Sequence, residues 1–300
     1  MPADPDPDEA AAKLAPGLYL VATPIGNARD ISLRALDVLA AADLLAAEDT
    51  RHTRRLLEIH GIRRPPRSLV AYHDHNGAVQ RPRLLAAMAA GGSVALVSDA
   101  GTPLLADPGW RLAAEAVAAG HMVTAVPGAS ALLAALSLAA LPTDRFLFAG
   151  FLPPRAAARR RALQELAAVP ATLVFYESPR RLAASLADMA TVLGAARPAA
   201  LCRELTKRFE EARRDTLGAL ATALAAEPAP RGEIVVVIGP PAEAPPDADA
   251  LDAALAEALA RLSVKDAAAE TAARLSLPRR QVYARALELA KGRSERIIED

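Results

Sequence analysis

The sequence predicts an α/β fold made of two α/β domains followed by a small C-terminal helical module. Three observations predict it: a length of 300 residues, short apolar runs that alternate with helical patterns, and a Pro-rich segment near residue 240. A domain contains roughly 100–200 residues, so the length suits two domains with an appendage. The alternation is typical of a mostly parallel sheet that is covered by helices on both faces.

The first domain contains five predicted strands and the helices between them. The strand-like runs are 18–22, 44–47, 68–72, 93–98 and 122–126. The helical patterns are 32–42, 50–60, 78–90, 108–119 and 130–141. Asp107-Pro108 here and Ser178-Pro179 further on each place a capping residue before a proline, which predicts that a helix begins at the proline.

The same pattern repeats with different content further along the chain. The strand-like runs are 146–150, 172–176, 199–203, 211–216 and 234–238. The helical patterns are 155–168, 179–193 and 217–226. We therefore divide the chain into an acidic tail (1–16), a first domain (17–141), a second domain (142–239), a Pro-rich linker (240–250) and a helical tail (251–300). Within that tail, a short turn around Ser276 predicts a helix-turn-helix.

Composition narrows the class of protein. Apolar residues make up 52% of the chain and charged residues 23%, as in a globular protein. The single cysteine, Cys202, excludes an internal disulfide framework and a zinc site made of several cysteines. The first nine residues carry no apolar run, and the uncharged stretch 122–143 is interrupted by Pro127 and Gly128. We expect a cytoplasmic protein that does not enter a membrane.

The net charge is zero, but the positive charge is concentrated. The stretch 51–83 has a net charge of +6 and the stretch 155–215 a net charge of +5. Local basic surface is what a phosphate backbone recognises, and we expect Arg159, Arg160 and Arg161 to contact RNA. The simpler alternative is that these side chains only solvate helix faces.

Three loops rich in small residues leave the carboxyl ends of predicted strands. They are Thr23–Asn27, Ser98–Pro103 and Pro127–Ser130. Ligands of open α/β sheets bind at this edge, and Gly and Pro let the backbone approach them. The chain lacks both the G-x-G-x-x-G and the Walker A patterns, which disfavours a standard dinucleotide or P-loop site.

Two clusters of ionisable side chains follow other strands of the first domain. Glu48, Asp49, Arg51 and His52 come after the second strand, and His73-Asp74-His75 comes after the third. The first cluster suggests a substrate site, although helix capping alone would explain one or two of its members. The second could suggest a metal, but without a further ligand we favour hydrogen bonding and expect no metal site.

The second domain adds two charged segments. Tyr176-Glu177-Ser178-Pro179-Arg180-Arg181 ends a strand where a helix is predicted to begin, which suits a phosphate group. The segment from Arg203 to Glu211 interleaves both charges around Phe209, and its alternative is a solvated ion-pair face.

Six motifs occur together and in one order. They are Thr23–Asn27, Ala47–Thr53, Ser98–Pro103, Pro127–Ser130, Phe175–Pro179 and Arg203–Lys207. With them the chain, from about Gly17 to Gly239, resembles the RsmI family of 16S rRNA 2′-O-ribose cytidine methyltransferases. That family belongs to the tetrapyrrole-methylase-like, class III group of methyltransferases that use S-adenosylmethionine.

The resemblance implies a methyl-donor site in the cleft between two α/β domains. It implies a homodimer that methylates the ribose 2′-hydroxyl of cytidine 1402 in 16S rRNA of the 30S subunit. Residues carried over to the donor site are Pro24, Ser98, Asp99, Ala100, Gly101, Thr102, Pro103, Leu104, Leu105, Ala106, Pro127, Gly128, Ala129, Ser130, Phe148 and Phe151.

The acceptor hydroxyl must lose a proton during methyl transfer. A catalytic tetrad that contains two lysines is disfavoured, because the whole chain has only four lysines. Candidates for the base or for orienting the hydroxyl are Glu48, Asp49, His73 and Glu177, and Arg51 joins them in the catalytic cluster. Candidates for contacts with the substrate's phosphates are Arg180, Arg203 and Lys207, together with Arg51.

Two other functions are compatible with this pattern. One is C-methylation of a tetrapyrrole by an enzyme of the same fold, which the motifs Thr23–Asn27 and Ala47–Thr53 and the helical tail disfavour. The other is a ribosome-assembly factor that binds RNA without catalysis, which an intact donor site disfavours. For the helical tail we favour contact with RNA or the ribosome over DNA binding, because its end is acidic.

Overall fold

The computed structural model describes residues 13–73, 75–105, 109–242, 248–275 and 277–299, without the side chains of 248 and 291–299. The chain forms two compact units, the first ending at Pro241 and the second beginning at Ala242. This division falls inside the segment 240–250 that we interpreted as a linker. The acidic tail as far as residue 12, the helix start at Asp107-Pro108 and the turn residue Ser276 lie outside the described residues.

The first half of the first unit is built on a five-stranded parallel sheet in the order β3-β2-β4-β1-β5. Its strands are β1 (Gly17–Val21), β2 (Leu44–Ala47), β3 (Leu69–Ala71), β4 (Ser93–Val97) and β5 (Val123–Val126). Its helices are α1 (Leu33–Ala41), α2 (Thr50–Ile59), α3 (Gly77–Ala89) and α4 (Trp110–Ala118). The expected α/β alternation is confirmed.

Side chains of this sheet alternate between two apolar layers. Tyr19 and Ala95 pack in one layer with α1 and α2, and Leu18 and Val94 pack in the other with α3 and α4. Successive side chains of a strand point to opposite faces, and a parallel sheet that is buried on both faces therefore has nearly continuous apolar strands. This explains why β4 is buried at all five positions.

The second half is built on another five-stranded sheet, in the order β6-β7-β10-β8-β9. Its strands are β6 (Phe146–Phe151), β7 (Thr172–Glu177), β8 (Pro198–Arg203), β9 (Glu211–Thr216) and β10 (Ile234–Ile238). Its helices are α5 (Ala131–Ala139), α6 (Ala156–Leu166), α7 (Leu182–Leu193) and α8 (Leu217–Ala226). Helix α5 lies before the boundary predicted at 141/142, yet it packs on β8, β9 and β10.

The expectation that the parallel pattern repeats is wrong for this second sheet. Only β6 and β7 are parallel, whereas β10 runs antiparallel to both of its neighbours and β8 runs antiparallel to β9. The link from β8 to β9 contains no helix, and strands joined without a crossover helix pair antiparallel. The amino end of β10 consequently lies beside the carboxyl end of β7, where Ile234 pairs with Glu177.

The helix start predicted at Ser178-Pro179 is also wrong. Helix α7 begins at Leu182, after a turn in which the amide of Arg181 donates to the Ser178 carbonyl. The Glu177 carboxylate accepts hydrogen bonds from the Ser178 amide and from the Arg181 side chain. These bonds hold residues 178–181 in a turn, so the helix begins three residues later than predicted.

The second unit consists of three helices, α9 (Ala248–Leu259), α10 (Val264–Leu275) and α11 (Arg279–Glu299). Leu255, Ala268 and Val282, one from each helix, meet in its apolar core. Ser263 caps α10 by accepting from the Asp266 amide, and its hydroxyl donates to the Asp266 carboxylate. The predicted helical module is confirmed. In the described part of the chain, no helix is long and apolar enough to cross a membrane.

Arg159 does not form the exposed phosphate contact that the charge pattern suggested. It is buried between α6 and α7, where its Nε donates to the Asp188 carboxylate over 2.7 Å. Removing one partner of a buried ion pair leaves the other charge desolvated and unpaired, and this costs more than the pair itself contributes.

Replacing Arg159 with Met should therefore lower the free energy of unfolding by about 3 kcal/mol, measured by urea denaturation. The double variant R159M/D188L should regain most of this loss, because it removes both charges. The matched control is R161M, since Arg161 is exposed and lies 3.8 Å from Glu165. That change should cost less than about 0.5 kcal/mol. Equal losses for R159M and R161M would contradict the assignment.

Candidate functional site

The three small-residue loops of the first half meet at one edge of the sheet. They follow β1, β4 and β5, which are neighbours in the order β4-β1-β5. All three strands are parallel, so their carboxyl ends reach the same edge. This is the edge at which open α/β sheets bind ligands.

Hydrogen bonds join these loops to one another. Thr23 and Gly101 exchange both backbone hydrogen bonds, at 2.9 and 3.0 Å, as an isolated antiparallel bridge. The Ser98 hydroxyl donates to the Gly101 carbonyl, and the Thr102 hydroxyl donates to the Ala129 carbonyl. The loops thus form one connected backbone surface.

Two residues of the Ser98–Leu105 loop have left-handed backbone conformations. Gly101 has φ of +82°, which glycine adopts without steric cost, and a Cβ built there would lie 3.3 Å from Ile25. Leu104 has φ of +72°, which is uncommon for a residue with a branched side chain. Such conformations cost of order 1 kcal/mol and cluster at ligand sites.

The second half of the unit supplies an aromatic group opposite these loops. Tyr176, at the end of β7, stacks edge-to-face on Phe148 at 4.8 Å and on Phe151 at 5.6 Å between ring centroids. Phe151 is 57% exposed, which is unusual for a phenylalanine and leaves its ring available to a ligand.

Between the loops and this aromatic group lies a mainly apolar cavity of about 370 Å³, which we call the apolar cavity. Its walls are Ile25, Ala100, Gly101, Thr102, Leu105, Ser130, Ala131, Phe151, Tyr176, Glu177, Ser178, Pro179, Leu205, Gly232, Glu233, Ile234 and Val235. Its volume falls within the range of small-molecule sites, and the Thr102 and Ser130 hydroxyls add polar anchors.

A second cavity of about 370 Å³ adjoins the first and is rich in ionisable groups; we call it the charged cavity. Its walls are Thr23, Pro24, Ile25, Gly26, Ala28, His52, Thr53, Arg55, Leu56, Ile59, Ser98, Asp99, Ala100, Lys207 and Glu233. The two cavities share Ile25, Ala100 and Glu233, so that a group bound in one can lie next to a group bound in the other.

Helix α2 presents one face to the charged cavity. His52, Arg55 and Ile59 line it at the helical spacing of three and four residues. The helix begins after Asp49, whose carboxylate accepts from the Arg51 amide. Hydrogen bonds from Arg51 lower the pKa of Asp49 well below its usual value. Asp49 is thus an ion-paired helix cap.

The segment from Glu204 to Lys207 closes the opposite side of the charged cavity. Glu204 and Thr206 have φ of +51° and +63°, and the Thr206 hydroxyl accepts from the Asn27 amide. Gly26 passes directly beneath Lys207, where a Cβ would overlap the lysine side chain. The loop after β1 and the loop after β8 therefore fit together only with glycine at position 26.

Three charges hold this segment in place. Lys207 Nζ donates to Glu204 at 2.9 Å and to Glu233 at 3.0 Å. Burial lowers the pKa of Lys207, but the two carboxylates outweigh it, and the pKa lies above its usual value. Gly232 is needed beside them, because a Cβ there would overlap the Glu204 carboxylate. Lys207 is consequently a cation that two carboxylates hold in position.

Glu177 lines the apolar cavity, but its contacts argue against the role of base that we expected. Its side chain is fully buried, and one oxygen accepts from the Ser178 amide and from Arg181. The other oxygen accepts from the Ser185 hydroxyl at 2.6 Å. With both oxygens occupied, the carboxylate positions the turn after β7.

The structure brings some of the other expected residues together and leaves others apart. Ala100, Gly101, Thr102, Leu105, Ser130 and Phe151 line the apolar cavity, while Pro24, Ser98, Asp99 and Lys207 line the charged cavity. Residues that line neither are Glu48, Asp49, Arg51, His73, Pro103, Leu104, Pro127, Gly128, Ala129, Phe148, Arg180 and Arg203. Ala106 and Asp74 lie outside the described residues.

The position of β3 in the sheet explains why His73 lies away from both cavities. It follows β3, the edge strand, which β2 separates from β4. Arg203 is ion-paired with Glu211 at 3.0 Å, and Arg51 is paired with Asp49. Among the described residues, no group of three His, Cys, Asp or Glu side chains is arranged to hold a metal.

Sequence reasoning missed two sets of cavity residues. Gly232 and Glu233 were missed because we searched only the carboxyl ends of strands, whereas β10 is antiparallel and brings its amino end to the site. Arg55 and Ile59 were within reach, because together with His52, which we had placed in the first ionisable cluster, they mark one face of a helix that follows a strand end.

The comparisons with known proteins show the family and the fold. Residues 17–221 match the family model of the tetrapyrrole (corrin/porphyrin) methylases. The chain belongs to the tetrapyrrole methylase family. Residues 244–290 match the model of the RsmI C-terminal HTH domain. The resemblance drawn from the six motifs is confirmed.

Two curated relatives cover nearly the whole methylase chain. A protein of Mesorhizobium japonicum is 54% identical over 93% of this chain and 94% of its own length. One of Pseudomonas aeruginosa is 48% identical over 90% of this chain and 96% of its own length. Both are named ribosomal RNA small subunit methyltransferase I.

A solved structure shares the methylase fold at lower identity. It is the uroporphyrin-III C-methyltransferase of Thermus thermophilus in complex with S-adenosylhomocysteine, 22% identical, with a TM-score of 0.51. The match covers 74% of this chain and 97% of that one.

The charge of Glu204 can be tested through the pH dependence of the free energy of unfolding. Hydrogen bonding from Lys207 is the main cause that lowers the pKa of Glu204 below its usual value of 4.5. A carboxyl group whose pKa is lower in the folded than in the unfolded protein stabilises the fold at pH values above its unfolded pKa. This contribution disappears as the pH falls through its folded pKa. Replacing Glu204 with Gln should lower the free energy of unfolding by about 1 kcal/mol at pH 7.

This difference between the wild type and E204Q should shrink as the pH falls below 4.5. Urea unfolding at a series of pH values measures it. The control is E165Q, because Glu165 is 71% exposed and its variant should follow the wild type at every pH. A difference that grows on acidification would contradict this account of the cluster.

Proposed function

We propose that this protein transfers a methyl group from S-adenosylmethionine to the ribose 2′-hydroxyl of cytidine 1402 in 16S rRNA. The observation that carries the proposal is the pair of adjoining cavities, one apolar and one charged, which share the wall of Ile25, Ala100 and Glu233. Because the cavities are adjacent, two reactants of different polarity can bind next to each other. The names of the two relatives support rRNA as the acceptor.

The apolar cavity suits a donor of this kind. Adenine needs an apolar slot, which Leu105, Phe151 and Tyr176 supply, and the amino-acid end needs hydrogen-bonding groups, which Thr102 and Ser130 supply. Gly101, with its positive φ, lets the backbone approach the ligand closely. When bound, the donor supplies a methyl group on a sulfonium, which a nucleophile attacks in line.

The chain's contribution to the reaction is to position the reactants and to accept a proton. Holding two reactants in the reactive geometry supplies much of the rate acceleration of an enzyme. The Thr23–Gly101 bridge fixes the loop after β1 to the loop after β4, so that the walls of both cavities keep one geometry. The acceptor nucleotide enters the charged cavity, where Arg55 and Lys207 face its phosphate.

We propose further that the protein acts as a cytoplasmic homodimer on rRNA or on the assembled 30S particle. Dimerisation would widen the basic surface that meets a structured RNA. Light scattering at micromolar concentration tests it, since a mass near the 31.3 kDa of one chain would refute a dimer.

The position of methylation is tested by mapping 2′-O-methyl groups on 16S rRNA from cells with and without the gene. Loss of the mark at cytidine 1402 alone supports the proposal. Retention of that mark refutes it. Methylation of uroporphyrinogen by the purified protein would favour the tetrapyrrole alternative instead.

Replacing Gly101 with Val should weaken the binding of S-adenosylhomocysteine by about tenfold or more, because it adds bulk and strain where the backbone meets the ligand. Calorimetry measures the affinity. The matched control is G91V, since Gly91 has the same φ of +82° but has open space around it and lines neither cavity. Equal affinities of the two folded variants would contradict the placement of the donor.

Replacing Arg55 with Ala should raise the dissociation constant for a 16S rRNA fragment about tenfold and reduce the salt slope by about one. The reason is the loss of one phosphate contact in the charged cavity. Fluorescence anisotropy at several salt concentrations measures both quantities. The control is R54A, which alters the neighbouring exposed arginine that lines neither cavity. An unchanged slope in R55A would move the RNA contact elsewhere.

A further inference from the structure

The charged cavity contains a histidine–aspartate pair to which the sequence analysis gave no joint role. His52 Nδ1 lies 3.4 Å from Asp99 Oδ2, and both side chains line the cavity. The other oxygen of Asp99, Oδ1, accepts from the Asp49 amide at 2.8 Å. The Asp99 carboxylate is therefore anchored by the backbone at one oxygen and faces the imidazole with the other.

This geometry favours one imidazole nitrogen as the proton acceptor. A carboxylate only accepts hydrogen bonds, so its position beside Nδ1 favours the neutral tautomer of His52 that carries its hydrogen on Nδ1. The lone pair then lies on Nε2. The side chain is 68% exposed, so that nitrogen can meet an acceptor group and later exchange its proton with water.

Asp99 lies next to the wall that the two cavities share. Asp99 lines the charged cavity and is followed directly by Ala100, which lines both. His52 approaches from α2, whose Arg55 and Ile59 line the same cavity one and two turns further on. Since His52 and Arg55 lie one helical turn apart on the same face, a nucleotide whose phosphate contacts Arg55 can place its sugar near His52.

We propose that His52 is the general base that takes the proton of the acceptor hydroxyl, with Asp99 as its positioning residue. The inference rests on the proposed function. The 2′-oxygen forms a bond to the methyl carbon while its proton passes to Nε2 of His52. The carbon–sulfur bond of the sulfonium donor breaks, and its electron pair stays on sulfur as a neutral thioether. The imidazolium then releases the proton to solvent.

The other ionisable groups near the cavities suit the role less well. Asp49 is bound to Arg51, both oxygens of Glu177 are occupied, and Lys207 is a cation held by two carboxylates. His73 lines neither cavity. His52 combines a ring beside a backbone-anchored carboxylate, access to solvent and a place in the charged cavity.

A single-turnover assay separates the chemical step from binding. With a 16S rRNA fragment and saturating donor at neutral pH, H52Q should methylate about 100-fold or more slowly than the wild type, because a base contributes 10²–10⁴-fold. Its affinities for the RNA and for S-adenosylhomocysteine should stay within about twofold, because glutamine keeps a polar side chain of similar length. The matched control, H121Q, changes a histidine that lines neither cavity and should keep the wild-type rate.

Two further measurements distinguish a base from a structural histidine. The wild-type rate should fall on acidification, because a protonated base cannot accept the hydroxyl proton, and this fall should be absent from H52Q. The charged groups that surround His52 at the cavity and at the start of α2 are Asp49, Arg51, Arg55, Asp99, Lys207 and Glu233. Added imidazole should restore part of the rate of H52A, because the space it leaves is open to solvent.

Asp99 is tested by replacement with Asn. The asparagine can still accept from the Asp49 amide, but its amide group favours the other imidazole tautomer, so the rate should fall about tenfold or more without loss of RNA affinity.

Rescue of H52A by imidazole should persist when the RNA concentration is saturating.

The outcomes separate this inference from the proposed function. Equal single-turnover rates and equal pH profiles for the wild type and H52Q, on any RNA that the wild type methylates, would overturn the role of His52. A wild type that methylates a base instead of a ribose would overturn the proposed function. A loss of RNA affinity in H52Q that accounts for the whole loss of rate would make His52 a binding residue and overturn its role as base.

Discussion

The backbone bridge between Thr23 and Gly101 is the interaction on which the rest of the site depends. It connects the loops after two neighbouring parallel strands, β1 and β4. Ile25 and Ala100, each close to the bridge, line both cavities. The bridge requires a left-handed residue at position 101, and glycine meets that requirement at no steric cost. One pair of hydrogen bonds thereby forms the common wall of the two cavities.

The two halves of the unit make different contributions to this wall. The parallel sheet contributes loops whose backbone groups face a ligand, as parallel sheets do at their carboxyl edge. The mixed sheet contributes side chains: Phe151 and Tyr176 from parallel strands, and Glu233 from the amino end of antiparallel β10. A second parallel sheet would have sent Glu233 to the far edge, and the two cavities would have lost a wall.

Most charges around the cavities hold the backbone in place. Glu177 binds the turn before α7, and Glu204 with Lys207 holds a segment with two left-handed residues. Backbone strain of this kind persists only where surrounding contacts compensate for it. The exposed His52 and Arg55 differ from these, because the cavity is what they face. Lys207 combines both roles, because it holds this segment and also lines the charged cavity.

The sequence by itself determined the order of the elements and the family. Every predicted strand is present in the structure, because apolar runs between turn residues are a local signal. The six motifs indicated the family because a ligand loop is a continuous segment whose residues remain adjacent in the chain. The carboxylate and aromatic groups beside that loop come from other strands.

Only the tertiary structure decided which residues meet. The direction of β10 depends on pairing with β7 and β8 over long distances in the chain, and nothing local in the run Ile234–Ile238 indicates it. Strand order likewise separated His73 from the cavities by placing β3 at the edge, and it brought His52 to Asp99 across β2 and β4. Contacts of this kind arise from the packing of whole elements, and a sequence shows them only after the sheet order is known.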